Sequence, residues 1–271
     1  MPELPEVETT MRGIAPHVEG QTIKQVVIRN HQLRWPVPAI LNQFLANIKI
    51  KSVTRRAKYL LLAADTGTLI IHLGMSGSLR IIVQEIAVGK HDHIDFIFAN
   101  GALLRYNDPR RFGAVLWTTA PADGHALLKN LGPEPLLPEF DGIHLYQVSR
   151  SRKMPVKSLI MDSHIVVGVG NIYANEALFM AGIHPTRQAG EISLKRYQQL
   201  AQCIKTVLQN AILQGGTTLR NFVNETGKPG YFKQQLLVYG RAGHPCRQCL
   251  QTLTEIRIAN RTTVFCQHCQ T

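Results

Sequence analysis

The first half of the chain consists of short apolar runs that are separated by turn residues. Runs of this kind favour strands, and their regular succession favours an antiparallel sandwich. The predicted strands cover residues 22–29, 59–63, 68–73, 78–83, 93–98, 102–106 and 114–118. A short helix is predicted ahead of them, because Pro5 and the acidic residues beside it favour a helix start. The pattern therefore predicts an N-terminal antiparallel β-sandwich flanked by helices.

The pattern changes to a helical period in the second half. Residues 132–142, GPEPLLPEFDG, contain three prolines and two glycines and indicate a domain junction. The clearest helix after it has Ser193 as its predicted N-cap and ends at Gly215 and Gly216. Its apolar face consists of Tyr197, Leu200, Ile204, Val207, Leu208, Ala211 and Ile212. The fold class is therefore α+β, with a strand-rich region followed by a helical one.

Charge and composition narrow the possible partners. The 271 residues include 30 Lys and Arg against 18 Asp and Glu, which gives a formal net charge of +12. An excess of this size favours a polyanion such as DNA, although a merely basic protein would have the same charge. The N-terminus shows no secretory pattern, and no apolar run reaches the roughly 18 residues of a membrane span. We therefore expect a cytoplasmic protein, associated with the chromosome and not with a membrane.

Four of the five cysteines form two CxxC pairs near the C-terminus. Cys246 and Cys249 make the first pair, Cys266 and Cys269 the second, and sixteen residues separate the pairs. Four thiolates at this spacing can close a tetrahedral shell around zinc and leave no position for water. Strands predicted at 252–258 and 262–265 would form the hairpin of a finger. The spacing therefore predicts one structural zinc ion per chain.

Eight sequence blocks, spread in order over the whole chain, carry a resemblance to a known family. They are PELPEVE from residue 2, RRAKYL at 55–60, HLGMSG at 72–77, NDPRRFG at 107–113, GVGNIYANE at 168–176, GGTTLRNF at 215–222, GKPGYF at 227–232 and the cysteine pairs. With these blocks the chain resembles bacterial formamidopyrimidine-DNA glycosylase. The resemblance implies a β-sandwich catalytic domain at 1–131, a helix-two-turn-helix DNA-binding domain at 132–240 and a zinc finger at 241–271. It also implies that DNA lies across the cleft between the domains.

The same resemblance implies an enzyme of base-excision repair. Its partner would be double-stranded DNA that contains oxidised purines or abasic sites, and the protein would act as a monomer. It would remove 8-oxoguanine and formamidopyrimidines through a Schiff base on the N-terminal proline and then cleave the abasic site by β,δ-elimination. Residues 217–224 would form a cap over the extruded base.

The implied nucleophile is Pro2, which becomes the N-terminus once Met1 is removed. A terminal amine has an ordinary pKa of about 8, against about 10.4 for lysine, so more of it is uncharged at neutral pH. A secondary amine also gives a cationic iminium without a further proton. Glu3 is implied as the carboxyl that exchanges protons with the base and the sugar. Glu6 is either a second catalytic carboxylate or a residue whose charge favours the helix start.

The remaining roles implied by the resemblance concern DNA. Lys58 and Arg261 would grip phosphates and assist the reaction, and Lys157 would lie near the damaged base. Phosphate or DNA contacts are implied for His72, His91 and Asn171. For Asn171 the sequence adds an argument of its own, because the turn before it leads into a predicted helix start, which favours an anion.

Base extrusion implies three further residues. A base inside a duplex has to leave the stack before it can react. Met75 and Phe112 match the family's apolar wedges, and Arg110 matches the partner of the base left opposite. The Gly-flanked loops that carry them favour this role over a place in the core.

Two alternatives stay open at the level of sequence. One is the endonuclease VIII branch of the same superfamily, which prefers oxidised pyrimidines. The residue Leu4 and the GGTTLRNF block favour the purine branch. The other is a zinc-finger protein that binds DNA without catalysis, which would leave the PELPE terminus unexplained.

Overall fold

A computed structural model describes residues 2–82, 86–216 and 235–271. The described residues cluster into two compact units, one of 2–82, 86–129 and 214–216 and the other of 130–213 and 235–271. The predicted three-part division at 131 and 240 stays a prediction beside this clustering. The predicted cap at 217–224 and the last residue of the strand at 78–83 lie outside the described residues.

The first unit opens with a helix and continues as two four-stranded antiparallel sheets. Helix α1 spans Leu4–Val18 and is longer than the short helix that the sequence predicts. The strands are β1 Ile23–Ile28, β2 Ser52–Arg56, β3 Tyr59–Ala64, β4 Gly67–His72, β5 Ser78–Ile82, β6 Asp92–Phe98, β7 Leu103–Asn107 and β8 Ala114–Thr118. The sheets have the orders β1-β6-β7-β5 and β2-β3-β4-β8, and a short helix α2 spans Leu41–Leu45. Apolar side chains from both sheets and from α1 share one core, so the predicted β-sandwich is confirmed.

The order of the strands places two loops side by side. β4 pairs with β8 in one sheet, and β5 pairs with β7 in the other. Residues 73–77 connect β4 to β5, and residues 108–113 connect β7 to β8. Both segments, the Met75 loop and the Arg110 loop, therefore cross between the same two pairs of strands at one edge of the sandwich.

The described part of the second unit contains four α-helices and a hairpin. They are α3 Gly142–Ser149, α4 Val156–Ile160, α5 Asn171–Met180, α6 Leu194–Leu213, β9 Thr254–Ile258 and β10 Arg261–Phe265. Turns at 161–170 join α4 to α5. The predicted long helix and its N-cap are confirmed, since the hydroxyl of Ser193 accepts a 3.4 Å hydrogen bond from the backbone N–H of Arg196. Among the helices in the described ranges, none is both long and apolar enough to cross a membrane.

Candidate functional site

The N-terminal residues are held by the first turn of α1. Pro2 and Glu3 are buried, and α1 begins at the next residue, Leu4. The carboxylate of Glu6 accepts a 2.8 Å hydrogen bond from the backbone N–H of Glu3. A carboxylate at this position caps the helix start, so Glu6 has a structural contact whether or not it also takes part in chemistry. Gly216 packs on Glu6, because a Cβ there would lie 3.2 Å from the Glu6 Oε1.

Lys58 and His72 lie at one end of the second sheet. Lys58 is in the turn between β2 and β3, and Tyr59 pairs with His72 across β3 and β4. The Nδ1 atom of His72 accepts a 3.1 Å hydrogen bond from the backbone N–H of Gly74. Burial, and after it the positive charges of Lys58 and Arg34, lower the pKa of His72 to about 4, against a smaller opposite effect of the Asp108 charge. His72 is therefore neutral at pH 7, with Nε2–H as its remaining donor.

The three predicted insertion residues are brought together and are exposed. Met75 is 38% exposed and Phe112 is 42% exposed, although large apolar side chains are usually buried. The guanidinium carbon of Arg110 lies 4.9 Å from the centre of the Phe112 ring. The backbone carbonyl of His91 accepts a hydrogen bond from the backbone N–H of Asp108 at the start of the Arg110 loop, so His91 borders the same group.

In the second unit, two residues that are predicted to contact DNA meet at the first residues of β10. Helix α5 begins at Asn171, as predicted, and the Asn171 Nδ2 donates a 3.0 Å hydrogen bond to the carbonyl of Thr262. Lys157 is 1% exposed, and its ammonium donates to the same carbonyl at 3.1 Å and to the hydroxyl of Thr263 at 2.7 Å. The side chain of Arg261, immediately before them, is exposed. The arrangement thus joins a buried ammonium to the strand that presents Arg261.

Two polar residues of α5 have structural contacts that the sequence reasoning did not assign. The Oδ1 atom of Asn175 accepts from the backbone N–H of Val264 at 2.8 Å. The buried carboxylate of Glu176 accepts from the backbone N–H groups of Leu237, Val238 and Tyr239 at 2.7–3.0 Å. Burial raises the pKa of Glu176 despite these three donors. Both residues lie within the GVGNIYANE block, and membership of this block is the sequence signal that could have identified them.

The four predicted zinc ligands form one cluster. The sulfur atoms of Cys246, Cys249, Cys266 and Cys269 all lie within 4.8 Å of one another, and none of the four is in a disulfide. The Cys249–Cys266 and Cys246–Cys269 sulfur distances are 3.4 and 3.9 Å. Tetrahedral zinc with bonds of about 2.3 Å places its sulfur ligands about 3.8 Å apart, so the residues fit the ion. This site holds one structural zinc ion.

The predicted residues thus fall into two sets, one on each unit. The sandwich carries Pro2, Glu3, Glu6, Lys58, His72, Met75, His91, Arg110 and Phe112, and the second unit carries Lys157, Asn171, Arg261 and the cysteines. A strongly basic β-sandwich protein with a helical second unit and a four-cysteine finger defines a class of nucleic-acid-binding proteins.

Comparison with known proteins gives the family. Three domain families match in order: the formamidopyrimidine-DNA glycosylase N-terminal domain over residues 1–115, the H2TH domain of the same protein over 131–223, and the zinc finger found in FPG and IleRS over 243–271. A formamidopyrimidine-DNA glycosylase of Marinobacter nauticus is 60% identical over 270 residues and covers 100% of both chains. The chain belongs to the formamidopyrimidine-DNA glycosylase family, which confirms the resemblance.

Solved structures agree with this assignment. The MutM (Fpg) protein of Thermus thermophilus has a TM-score of 0.89 at 36% identity, over 99% of this chain and 98% of that one. The Lactococcus lactis Fpg, solved with DNA containing N7-benzyl-Fapy-dG, has a TM-score of 0.91 at 33% identity, over 99% of each chain. The predicted fold class, a β-sandwich followed by a helix-two-turn-helix domain with a hairpin zinc finger, is confirmed.

Proposed function

We propose that this chain is a DNA glycosylase and abasic-site lyase that removes oxidised purines from duplex DNA in base-excision repair. The observation that carries the proposal is the end-to-end match, at 60% identity, with a formamidopyrimidine-DNA glycosylase. The solved Lactococcus lactis relative supports the substrate class, because its bound DNA contains a formamidopyrimidine lesion. An enzyme with this substrate works where the chromosome is, so we place it in the cytoplasm of a bacterial cell.

The proposed nucleophile is the secondary amine of Pro2 after removal of Met1. It attacks the sugar carbon that carries the damaged base, and the bond to the base breaks. The amine then loses its proton, and opening of the sugar ring at the same carbon leaves a cationic iminium. The first turn of α1 supports this role, because Pro2 precedes the positive end of a 15-residue helix. A further positive charge is disfavoured there, so the neutral amine that can attack is favoured.

Glu3 is proposed as the proton carrier. Its carboxyl is buried next to Pro2 in sequence and can donate a proton to the opening sugar or the departing base, then accept one during elimination. Glu6, whose carboxylate caps the backbone of Glu3, is proposed to hold this residue in place. The helix start thus fixes the two residues on which the chemistry depends.

The other predicted residues are proposed to bind the DNA. Lys58 and Arg261 grip phosphates that flank the lesion and assist catalysis, and His72, His91 and Asn171 contact the strand. Lys157, placed near the damaged base by the resemblance, acts through β10, to which its ammonium is bonded. Met75, Arg110 and Phe112 enter the duplex as the damaged base leaves. Their exposure supports this role, since an apolar wedge has to be presented at the surface.

Borohydride trapping tests the proposed nucleophile. Borohydride reduces the iminium, so incubation with a duplex containing 8-oxoguanine opposite cytosine should give a covalent adduct, and mass spectrometry should locate it on Pro2. Protein with one additional residue ahead of Pro2 should bind the duplex but form no adduct, because its Pro2 nitrogen is an amide. An adduct formed at the normal rate by that protein would place the nucleophile elsewhere, with Lys58 and Lys157 as the next candidates.

The same assay separates the purine and pyrimidine branches. A matched duplex that contains thymine glycol in place of 8-oxoguanine should react more slowly. A faster reaction with thymine glycol would favour an enzyme of the endonuclease VIII type.

A further inference from the structure

A buried carboxylate lies where the Met75 loop and the Arg110 loop meet. Asp108 is 0% exposed. Its Oδ1 atom accepts a 2.8 Å hydrogen bond from the hydroxyl of Ser76. Its Oδ2 atom accepts from the backbone N–H of Gly113 at 2.9 Å and from the phenol of Tyr106 at 3.2 Å. One side chain is therefore bonded to the Met75 loop, to both ends of the Arg110 loop and to β7.

Ser76 extends this contact to the residue that is proposed to face the widowed base. The hydroxyl of Ser76 donates to Asp108 and accepts a 3.1 Å hydrogen bond from the backbone N–H of Arg110. Ser76 follows Met75 directly in sequence and is 4% exposed. The backbones of Met75 and Arg110 are thus connected through one buried hydroxyl.

Close backbone packing restrains the same two loops. Gly74 has φ +62°, and a Cβ on it would lie 2.5 Å from the backbone nitrogen of Gly113. A Cβ on Gly113 would lie 1.8 Å from the hydroxyl oxygen of Tyr106. Neither contact leaves room for a side chain, so Gly74 touches the Arg110 loop through main-chain atoms, and Gly113 packs on the phenol of Tyr106.

The base of the Arg110 loop is also tied to β6. The Nε2 atom of His93 lies 2.8 Å from the carbonyl oxygen of Asp108, and the backbone N–H of Asp108 donates to the carbonyl of His91 at 3.1 Å. Burial, and after it the charge of Asp108, raises the pKa of Tyr106, so the phenol keeps the proton that it donates. The three groups that contact the carboxylate oxygens, those of Ser76, Tyr106 and Gly113, are therefore donors.

We infer that Asp108 and Ser76 are positioning residues for base extrusion: they lock the Met75 and Arg110 loops together, so that Met75, Arg110 and Phe112 enter the duplex as one rigid wedge. The inference rests on the proposed function of those three residues. Unstacking a base step takes roughly a few kcal/mol. A wedge recovers that energy fully only if its parts are already in place before insertion. Neither Asp108 nor Ser76 needs to touch DNA for this role.

Two reactions of the same enzyme isolate the effect. Excision of 8-oxoguanine from a duplex requires extrusion, whereas cleavage of a preformed abasic site in the same duplex has no base to extrude. The variants Ser76→Ala and Asp108→Asn should lower the single-turnover excision rate by about ten- to a hundredfold, the range expected for a lost buried hydrogen bond. Their cleavage of the abasic site should change by less than about threefold. Ser76→Ala keeps the test usable if Asp108→Asn fails to fold, because it removes only a hydroxyl.

A matched buried carboxylate controls for general loss of stability. Asp95 lies on β6 of the same sandwich, is 2% exposed and accepts from Arg105 and Arg29. The variant Asp95→Asn should lower the melting temperature but leave the ratio of excision to cleavage unchanged. If Asp95→Asn changes this ratio as much as Ser76→Ala does, the role of Ser76 and Asp108 is only structural.

Met75→Ala separates this inference from the function on which it rests. If Met75→Ala lowers the ratio and the Ser76 and Asp108 variants do not, the positioning inference is wrong. If Met75→Ala itself leaves the ratio unchanged, the proposed insertion role is wrong.

Discussion

The Met75 and Arg110 loops of the sandwich and the first residues of β10 in the second unit place their candidate DNA contacts in different ways. In the sandwich the candidate DNA contacts Met75 and Phe112 are exposed, and buried polar residues behind them hold the loops. Around β10 the candidate contacts Lys157 and Asn171 are themselves bonded to the protein backbone, and Arg261 is exposed beside them.

The two regions also differ in where the exposed and the supporting residues come from. In the sandwich the exposed and the supporting residues lie in the same loops. In the second unit they come from α4, α5 and β10, which are distant in sequence. Lys157 donates to Thr263, and the hydroxyl of Thr263 donates to the carbonyl of Arg261 at 3.2 Å. A buried ammonium can therefore serve DNA binding through the strand that it supports.

The largest effect should come from removing zinc. Its loss should unfold the finger of the second unit and leave the sandwich folded. Structural zinc contributes on the order of 10 kcal/mol to the folding of small fingers. Cys249→Ser should therefore unfold the hairpin that carries Arg261 and abolish DNA binding. The strand signal of the sandwich in circular dichroism should largely remain. Undiminished lesion affinity in protein verified to be free of zinc would contradict the prediction.

The second prediction tests whether Lys157 supports β10 or contacts DNA directly. Lys157→Met should destabilise the protein by about 1–3 kcal/mol, because the carbonyl of Thr262 and the hydroxyl of Thr263 lose a buried donor. DNA affinity should fall without a change in its dependence on salt. Thermal unfolding and salt titrations of binding measure the two quantities. Lys153→Met, a change at an exposed lysine on the same segment, is the control for stability. A smaller salt slope in Lys157→Met would instead indicate direct contact with a phosphate.

The third prediction concerns the exposed member of the same group. Arg261→Ala should leave stability nearly unchanged and reduce the slope of log affinity against log salt by about 0.9, the share of one phosphate. Arg257, exposed on the other strand of the hairpin and paired with Thr262, provides a matched control. Equal slopes for wild type and Arg261→Ala would remove Arg261 from the phosphate contacts.

The sequence alone predicts those elements whose conformation is decided by the local pattern of apolar and turn residues. Seven of the eight sandwich strands follow from apolar runs between turns. The sequence did not predict strand β2, SVTRR, because it has a single apolar residue, Val53, and its conformation depends on pairing with β3. The cysteine spacing was sufficient for zinc, because chemistry fixes both ligand type and number.

The candidate site residues named from the sequence stay a prediction, and the contacts among them could not be derived from the sequence. Lysine is almost never fully buried, so nothing in the sequence indicates that Lys157 packs under β10. Ser76 and Asp108 lie in two of the family blocks, yet their contact depends on the pairing of β4 with β8 and of β5 with β7. Such long-range registers are set by the whole sandwich and cannot be derived from either loop alone.

The smallest expected effect concerns His72, which tests whether every basic residue that is proposed to contact DNA acts through its charge. Its pKa of about 4 leaves it neutral at pH 7, and a neutral donor releases no counterion. His72→Gln should therefore weaken DNA binding only a few-fold, by about one neutral hydrogen bond, with an unchanged salt slope.

The pH dependence follows from the same lowered pKa. Below an ordinary pKa of about 6.5 the unfolded chain binds a proton at His72, whereas the folded protein does not until about pH 4. Acidification from pH 6.5 to 4 should therefore destabilise the wild type more than His72→Gln, as measured by urea unfolding. Between pH 6 and 8 the ratio of their DNA affinities should stay constant. If the wild type gains affinity over His72→Gln as the pH falls from 8 to 6, His72 binds phosphate as a cation. His72 would then contact DNA through its charge, as Arg261 is proposed to do.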